Sequence, residues 1–152
     1  DINRVSTIAG PWGAGSVTYD GAGNIRSQTF GGSTLTYNYD GSNRLGSVSG
    51  TRAASYAYDA YGNVSSGGGN TYAYDNVPNL QCVNCASPTS KVEYSYDAAA
   101  HRSVVNRAGV KTYEMTASSG NQLIEFTPSQ SNKLVQYFYL GGKRVAQSIS
   151  SQ

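Results

Sequence analysis

Tyr37-Asn38-Tyr39-Asp40-Gly41-Ser42-Asn43-Arg44-Leu45 is the stretch from which the whole chain can be read. Tyr56-Ala57-Tyr58-Asp59-Ala60-Tyr61-Gly62-Asn63-Val64 repeats it closely. Tyr72-Ala73-Tyr74-Asp75 and Tyr94-Ser95-Tyr96-Asp97 repeat its first half, and Tyr19-Asp20-Gly21-Ala22-Gly23-Asn24-Ile25 repeats all but the leading Tyr. Tyr137-Phe138-Tyr139-Leu140-Gly141-Gly142-Lys143-Arg144-Val145 is a degenerate copy. The second Tyr falls at positions 19, 39, 58, 74, 96 and 139, and a weak copy at Tyr113 divides the last, long step. Self-similarity at a near-constant period decides architecture before any local signal does.

The repeat has a physical reading. Leu35, Tyr37 and Tyr39 share one face of a strand because side chains alternate with period two. Ala54/Tyr56/Tyr58, Val92/Tyr94/Tyr96 and Val135/Tyr137/Tyr139 follow the same pattern, while Thr36, Asn38 and Ser95 take the other face. Asp suits the first position of a turn, where its carboxylate accepts bonds from the N–H groups just ahead; Gly and Asn tolerate the positive φ that follows. A returning strand then opens on Leu, Ile or Val. Each repeat is therefore expected to be a β-hairpin with an aromatic face, and the chain all-β, with consecutive antiparallel hairpins forming a curved or spiral sheet.

Composition narrows the function classes. Charged residues are 13% of the 152, about half the roughly 25% usual in globular proteins. Such low charge is unlike a solvating disordered tail. Tyr has to supply much of the buried area, on the order of 150–250 Å² per aromatic ring, and its hydroxyl needs a partner when enclosed. A net charge of +2 is too small to recruit nucleic acid by electrostatics. No apolar run approaches the roughly 18 residues of a spanning helix.

In chain order, Asp1-Ile2-Asn3-Arg4-Val5 resembles the turn and return strand of the later copies without their Tyr-x-Tyr, so residue 1 is expected to be a cut or an observation limit inside a longer array. Pro11-Trp12-Gly13 is a connector whose Trp is expected to pack over a hairpin. Regular repeats occupy residues 1–75, with strands expected at Ile25–Phe30, Thr34–Tyr39, Arg44–Ser49, Ala53–Tyr58 and Thr71–Tyr74 and glycine punctuation between them. Residues 76–90 break the rhythm as an inserted loop with an altered turn. Residues 91–152 carry looser repeats, with strands expected at Lys91–Tyr96, Arg102–Arg107, Val110–Met115, Gln122–Thr127, Lys133–Tyr139 and Arg144–Gln147, and a tail or another cut end at Ser148–Gln152. The three parts are expected to form one continuous repeat domain.

Cys82-Val83-Asn84-Cys85 has several readings. Zinc needs four ligands as a rule, and there is neither a second CxxC nor more than one His, so no metal site is expected. Thioredoxin-like chemistry needs a βαβ context that is absent. A local disulfide between Cys82 and Cys85 is the leading reading for an exported protein, with two free thiols as the alternative.

The motifs Tyr-x-Tyr-Asp-x-x-Gly-Asn-(Ile/Val) and Tyr-x-Tyr-Asp-x-x-Asn-Arg-Leu resemble the tyrosine–aspartate (YD) repeats of bacterial Rhs proteins, of insecticidal toxin-complex shells and of teneurins. The resemblance covers nearly the whole chain. It implies a shell that holds a toxin or other variable domain; the shell-closing region and autoproteolysis site would lie beyond Gln152. It also implies a secreted or cell-surface bacterial location, with this chain as a processed fragment of a wall.

Catalysis is not expected. The turn aspartates Asp20, Asp40, Asp59, Asp75 and Asp97 are structural by position. Glu93, Glu114 and Glu125 are expected to face solvent, and His101 sits in a turn. Two asparagine-bearing turns faintly resemble calcium loops but lack their ligand alternation. Two non-enzymatic readings remain, neither requiring a cofactor. In one, the chain is structural and pairs with neighbouring repeats of a longer parent or with copies of itself. In the other, exposed Tyr rings stack on glycans. Burial of Tyr37, Tyr39, Tyr56 and Tyr58 favours the first.

Overall fold

The computed structural model describes residues 4–151; Asp1-Ile2-Asn3, read above as a truncated turn, and Gln152 lie outside the described residues. The fold is all-β, and the chain divides into two units, Asp1–Gly69 and Asn70–Gln152. The first holds β1 (Thr7–Gly10), β2 (Gly13–Tyr19), β3 (Ile25–Phe30), β4 (Ser33–Tyr39), β5 (Leu45–Gly50), β6 (Ala54–Tyr58) and β7 (Val64–Gly67). The second holds β8 (Asn70–Tyr74), β9 (Leu80–Val83), β10 (Val92–Tyr96), β11 (Arg102–Arg107), β12 (Val110–Thr116), β13 (Gln122–Thr127), β14 (Lys133–Leu140) and β15 (Lys143–Ser150). Within each unit, strand order is chain order and neighbouring strands are antiparallel.

Two kinds of turn alternate along this order. Five Tyr-bearing strands pass into return strands through five-residue turns opened by Asp, whereas Ala117 opens the turn after β12 and only Gly141-Gly142 follows β14. Return strands pass into the next strand through longer connections after β5, β9 and β13, and through tight two-residue turns after β1, β3 and β11. Gly31 and Gly32 form one of these at φ 55° and 80°, left-handed values that a β-carbon disfavours. Just before each longer turn the register slips by one residue: Asn38 pairs Ser47, but Tyr39 pairs Leu45, leaving Gly46 unmatched. The same slip precedes Tyr19, Tyr58, Tyr74, Tyr96, Thr116 and Tyr139. A bulge of this kind bends the strand that carries the extra residue and raises its twist.

Alternation of exposure follows the pleat. Along β4, Leu35, Tyr37 and Tyr39 are half-buried while Thr34, Thr36 and Asn38 are exposed. Few side chains are enclosed: Val48, Cys82, Val105, Val135 and Thr127, of which Val105 is fully inaccessible between its cross-strand partners Tyr94 and Thr112. A fully buried Val contributes about 1.5–3 kcal/mol, so aliphatic burial is thin here and the Tyr rings carry the rest. Tyr56 shows how they do so. Its ring lies on bare backbone, because a β-carbon on its partner Gly67 would stand 2.5 Å from the ring.

Several expectations need correction. The stretch 76–90, read as an inserted loop, contains strand β9, whose Cys82 and Val83 pair with Ala73 and Tyr72 on one side and Glu93 and Val92 on the other. The expected tail is the end of β15, paired through Ser150 with Leu134. β1 and β7 were hidden by their shortness, four residues each. Trp12 does fold over its hairpin, onto Gly10, yet stays 66% exposed.

Candidate functional site: the tyrosine–aspartate seams

Among the described residues, each Asp closes its turn in the same way. Asp40 Oδ1 accepts from the Ser42 and Arg44 N–H groups at 2.8 and 2.9 Å, and Oδ2 accepts from Arg44 Nε at 3.0 Å. The Asp40 N–H donates to the Arg44 carbonyl at 2.8 Å, completing a ring of five residues. Asp20, Asp59, Asp75 and Asp97 repeat this arrangement, with Asn24, Asn63, Asn79 and His101 in the place of Arg44. The fourth residue is left-handed at Gly23, Asn43, Gly62 and Ala100. At Asp75 that position is Pro78, which cannot be left-handed, and the turn still closes through its carboxylate. All five carboxyls lie below the ordinary aspartate range. The Asn24 and Asn63 side chains are the main cause for Asp20 and Asp59; the N–H groups of Arg44, Asn79 and His101 are the main cause for Asp40, Asp75 and Asp97.

In five copies the second Tyr reaches backward. Tyr19 donates its hydroxyl to the Val5 carbonyl (2.9 Å), Tyr39 to Ile25 (3.1 Å), Tyr58 to Leu45 (2.9 Å), Tyr96 to Leu80 (2.8 Å) and Tyr139 to Gln122 (2.8 Å). The acceptor is always near the start of the preceding return strand, past the end of the backbone ladder. β5 and β6, for example, pair only at Ser47–Ser55 and Val48–Ala54, so on its β6 side Leu45 has no ladder partner and the phenol takes that place. An arginine caps two of these rings: Arg4 over Tyr19 at 4.8 Å and Arg44 over Tyr58 at 4.7 Å. Adjacent turns also touch, through Asn24 Nδ2 and Asn43 Oδ1. Burial pushes the Tyr39 and Tyr96 hydroxyls above their usual value.

The first Tyr of each copy, at Tyr37, Tyr56, Tyr72, Tyr94 and Tyr137, is half-buried on the same face. Arg102 lies over Tyr94 at 5.7 Å and Arg144 over Tyr137 at 4.6 Å.

One seam departs from the rule, and sequence reading missed it. The weak copy assigned to Tyr113 is instead centred on Thr116 and Ala117. Ala117 opens the turn, donating its N–H to the Asn121 carbonyl at 2.8 Å, and Thr116 stands at the second-Tyr position, pairing Gln122. Glu114 falls where the first Tyr belongs. It is therefore on the Tyr face, 6% exposed, in a bidentate pair with Arg102 (2.7 and 2.8 Å) that holds the guanidinium above its usual range. Its cross-strand neighbour Glu125 accepts from the Tyr137 hydroxyl at 2.9 Å and from Gln122 Nε2 at 3.0 Å. Burial, then the Glu125 bond, raises the Tyr137 hydroxyl. Glu114 and Glu125 thus do not face solvent as expected. Only Glu93 lies on the other face, against Lys91 at 2.6 Å and Asn106 at 3.0 Å, with its carboxyl lowered chiefly by Lys91. The available sequence signal was an Arg at a return-strand opening together with a Glu in a Tyr slot.

Chemically, these seams bond side chains to main chain. Among the described residues no cluster of three or more His, Cys, Asp or Glu could hold a metal, and no helix is long and apolar enough to cross a membrane.

A sequence-family model described as "Teneurin YD-shell" matches residues 4–115. Among curated proteins none matches. Among solved structures, the crystal structure of TcdB2-TccC3-Cdc42 superposes with a TM-score of 0.68 at 17% identity, over 91% of this chain and 9% of that one. The Photorhabdus luminescens Tc holotoxin pore, in a TccC3 mutant, gives 0.66 at 15% identity with the same coverages. This chain therefore spans only about 9% of the length of those chains.

Proposed function

The chain belongs to the Teneurin YD-shell family, and from that premise we propose that it is a non-catalytic wall segment of a larger shell that encloses or displays other domains of a longer bacterial protein. The observation that carries this reading is the use made of the motif residues. Five second-position Tyr hydroxyls and five Asp carboxylates are bound to the main chain, which leaves them as fasteners rather than as reagents or ligand contacts. Work outside the bacterial cell or at its surface, as part of a secreted assembly, is the setting this reading implies.

The neighbour that suits such a wall can be reasoned from the alternation of strands. Among the described residues the outermost strands β1 and β15 are both of the return type, without Tyr-x-Tyr. β15 is exposed throughout, and from Val145 to Ser150 it carries no charge, so its edge is open to pairing. A second copy laid head to tail would bring β1 there, and its Thr7-Ile8-Ala9-Gly10 has no phenol to complete a seam. A Tyr strand from a longer parent fits better than a fibre of copies.

The test is sedimentation velocity and electron microscopy of the chain, alone and with a peptide of the sequence of residues 33–40, and with oligosaccharides as a separate arm. A single-chain species whose β15 amides shift with the peptide is the expected result. Ordered fibres would shift the assignment to self-assembly. Saccharide-dependent shifts of the Tyr ring signals, with no peptide effect, would overturn the wall reading in favour of glycan binding.

A further inference from the structure

We propose that Cys82–Cys85 is a reversible thiol–disulfide exchange site that accepts electrons from an external dithiol. The structure joins the two sulfurs across four residues. The cysteines are unequal: Cys82, in β9, is 6% exposed, whereas Cys85 lies in the exposed loop that follows. An incoming thiolate therefore meets the Cys85 sulfur first, and access selects which sulfur is attacked.

The residues between the cysteines are held in place without the bond. Val83 is paired in the ladder with Tyr72 and Val92. Asn84, left-handed at φ 50°, donates its N–H to the Thr71 carbonyl (2.9 Å) and accepts from the Thr71 N–H at Oδ1 (2.9 Å). Its Nδ2 donates to Asn70 Oδ1 at 2.8 Å. Opening the bond thus leaves both thiols positioned for re-closure, which makes ring formation effectively intramolecular.

The surroundings favour the charged intermediate. Both cysteines line a groove of about 610 Å³ together with Lys91, Glu93 and Lys111. Lys91 is paired with Glu93 at 2.6 Å, so the Lys111 ammonium leaves the groove with a net positive charge. Positive charge nearby stabilises a departing thiolate.

The electron balance is simple. A dithiol thiolate attacks Cys85 Sγ, the sulfur–sulfur bond breaks, and its electron pair leaves on Cys82 Sγ, which takes a proton from water. The second thiol then attacks the dithiol's own sulfur in the mixed disulfide, loses its proton and releases Cys85 as a thiolate, which is protonated in turn. Two electrons have passed to the cysteines, and the dithiol leaves as a cyclic disulfide.

The experiment equilibrates the full chain in mixtures of reduced and oxidised dithiothreitol, traps free thiols by alkylation, and reads intact mass and far-ultraviolet circular dichroism. A single two-electron transition with the β spectrum retained, and return of a monomeric disulfide form when the reductant is removed, is expected. Asn84→Ala should shift the exchange equilibrium about tenfold toward the dithiol form, and Lys111→Gln should slow reduction several-fold while leaving the fold intact. The proposal is overturned if the bond yields only in denaturant, if reduction melts the sheet, if reoxidation gives linked dimers, or if both variants exchange like the parent.

Discussion

Replacing Tyr58 with Phe removes one atom from one seam. The ring stays, and so does the Arg44 guanidinium 4.7 Å above it; the 2.9 Å bond to the Leu45 carbonyl is lost. A neutral hydrogen bond of this kind contributes about 0.5–1.5 kcal/mol net, and leaving an acceptor without a partner adds to the loss where water cannot reach. Leu45 is half-buried, so water replaces part of the bond and the expected cost is about 1 kcal/mol. That is close to fivefold in an opening equilibrium. The β5–β6 ladder holds only at Ser47–Ser55 and Val48–Ala54, so the loss should be felt locally before it is felt globally. Native-state hydrogen exchange in the variant should show the ladder amides of β5 and β6 opening about fivefold faster, with a smaller change in β2 and β3. Tyr37→Phe supplies the control, because its hydroxyl has no protein hydrogen-bond partner among the described residues. Equal exchange in the Tyr58 and Tyr37 variants would refute the idea that these phenols fasten one hairpin to the next.

Three further outcomes follow from the turns. Ala117→Asp supplies the carboxylate that this turn lacks, aimed at the Ser119 and Asn121 N–H groups; by analogy with helix caps it should stabilise by about 1 kcal/mol and raise Tm by roughly 2–4 °C in calorimetry, and a lowered Tm would count against a shared turn geometry. Ala100 is held at φ 62°, so Ala100→Gly should relieve about 1 kcal/mol of left-handed strain and move the urea midpoint upward; an unchanged or lower midpoint would contradict the assigned conformation. The turn aspartates all have depressed folded-state pKa values, so their contribution is complete above the unfolded value near 3.8 and is lost as pH falls through the lower folded values. Urea midpoints should therefore be flat from pH 7 to about 5 and decline below 4; a decline centred near pH 6 would contradict the assignment to the turn aspartates.

Much of this architecture could be read from residue order, and the reasons are local. Period-two Tyr, a following Asp, and then Gly or Asn each restrict the backbone strongly enough to mark hairpins at Tyr37–Leu45 and Tyr56–Val64. The bulges were invisible because the unmatched residue has no required type: it is Arg26, Gly46, Ser65, Gln81 and Ser103 in successive hairpins. The backward Tyr bonds were equally hidden, since their acceptors are carbonyls that every residue possesses. β9 was obscured because Cys82-Val83-Asn84-Cys85 reads as a disulfide-closed inserted loop, although its first two residues are strand. Glu114 was misplaced because acidic residues are most often exposed; only its slot in the repeat shows that it faces inward against Arg102.

The backward direction of the phenol bonds gives the chain an order of assembly. In each of the five seams described above the donor comes later in sequence than its acceptor, by 14, 14, 13, 16 and 17 residues. A ribosome releasing the polypeptide from its N-terminus therefore always presents the carbonyl before the hydroxyl that will seek it. Every fastening is a short-range closure onto a strand already laid down, and none waits for a segment still to be synthesised. Such low contact order favours fast formation, and nearest-neighbour coupling lets an array grow one unit at a time. A wall of this design can be built at the pace of translation.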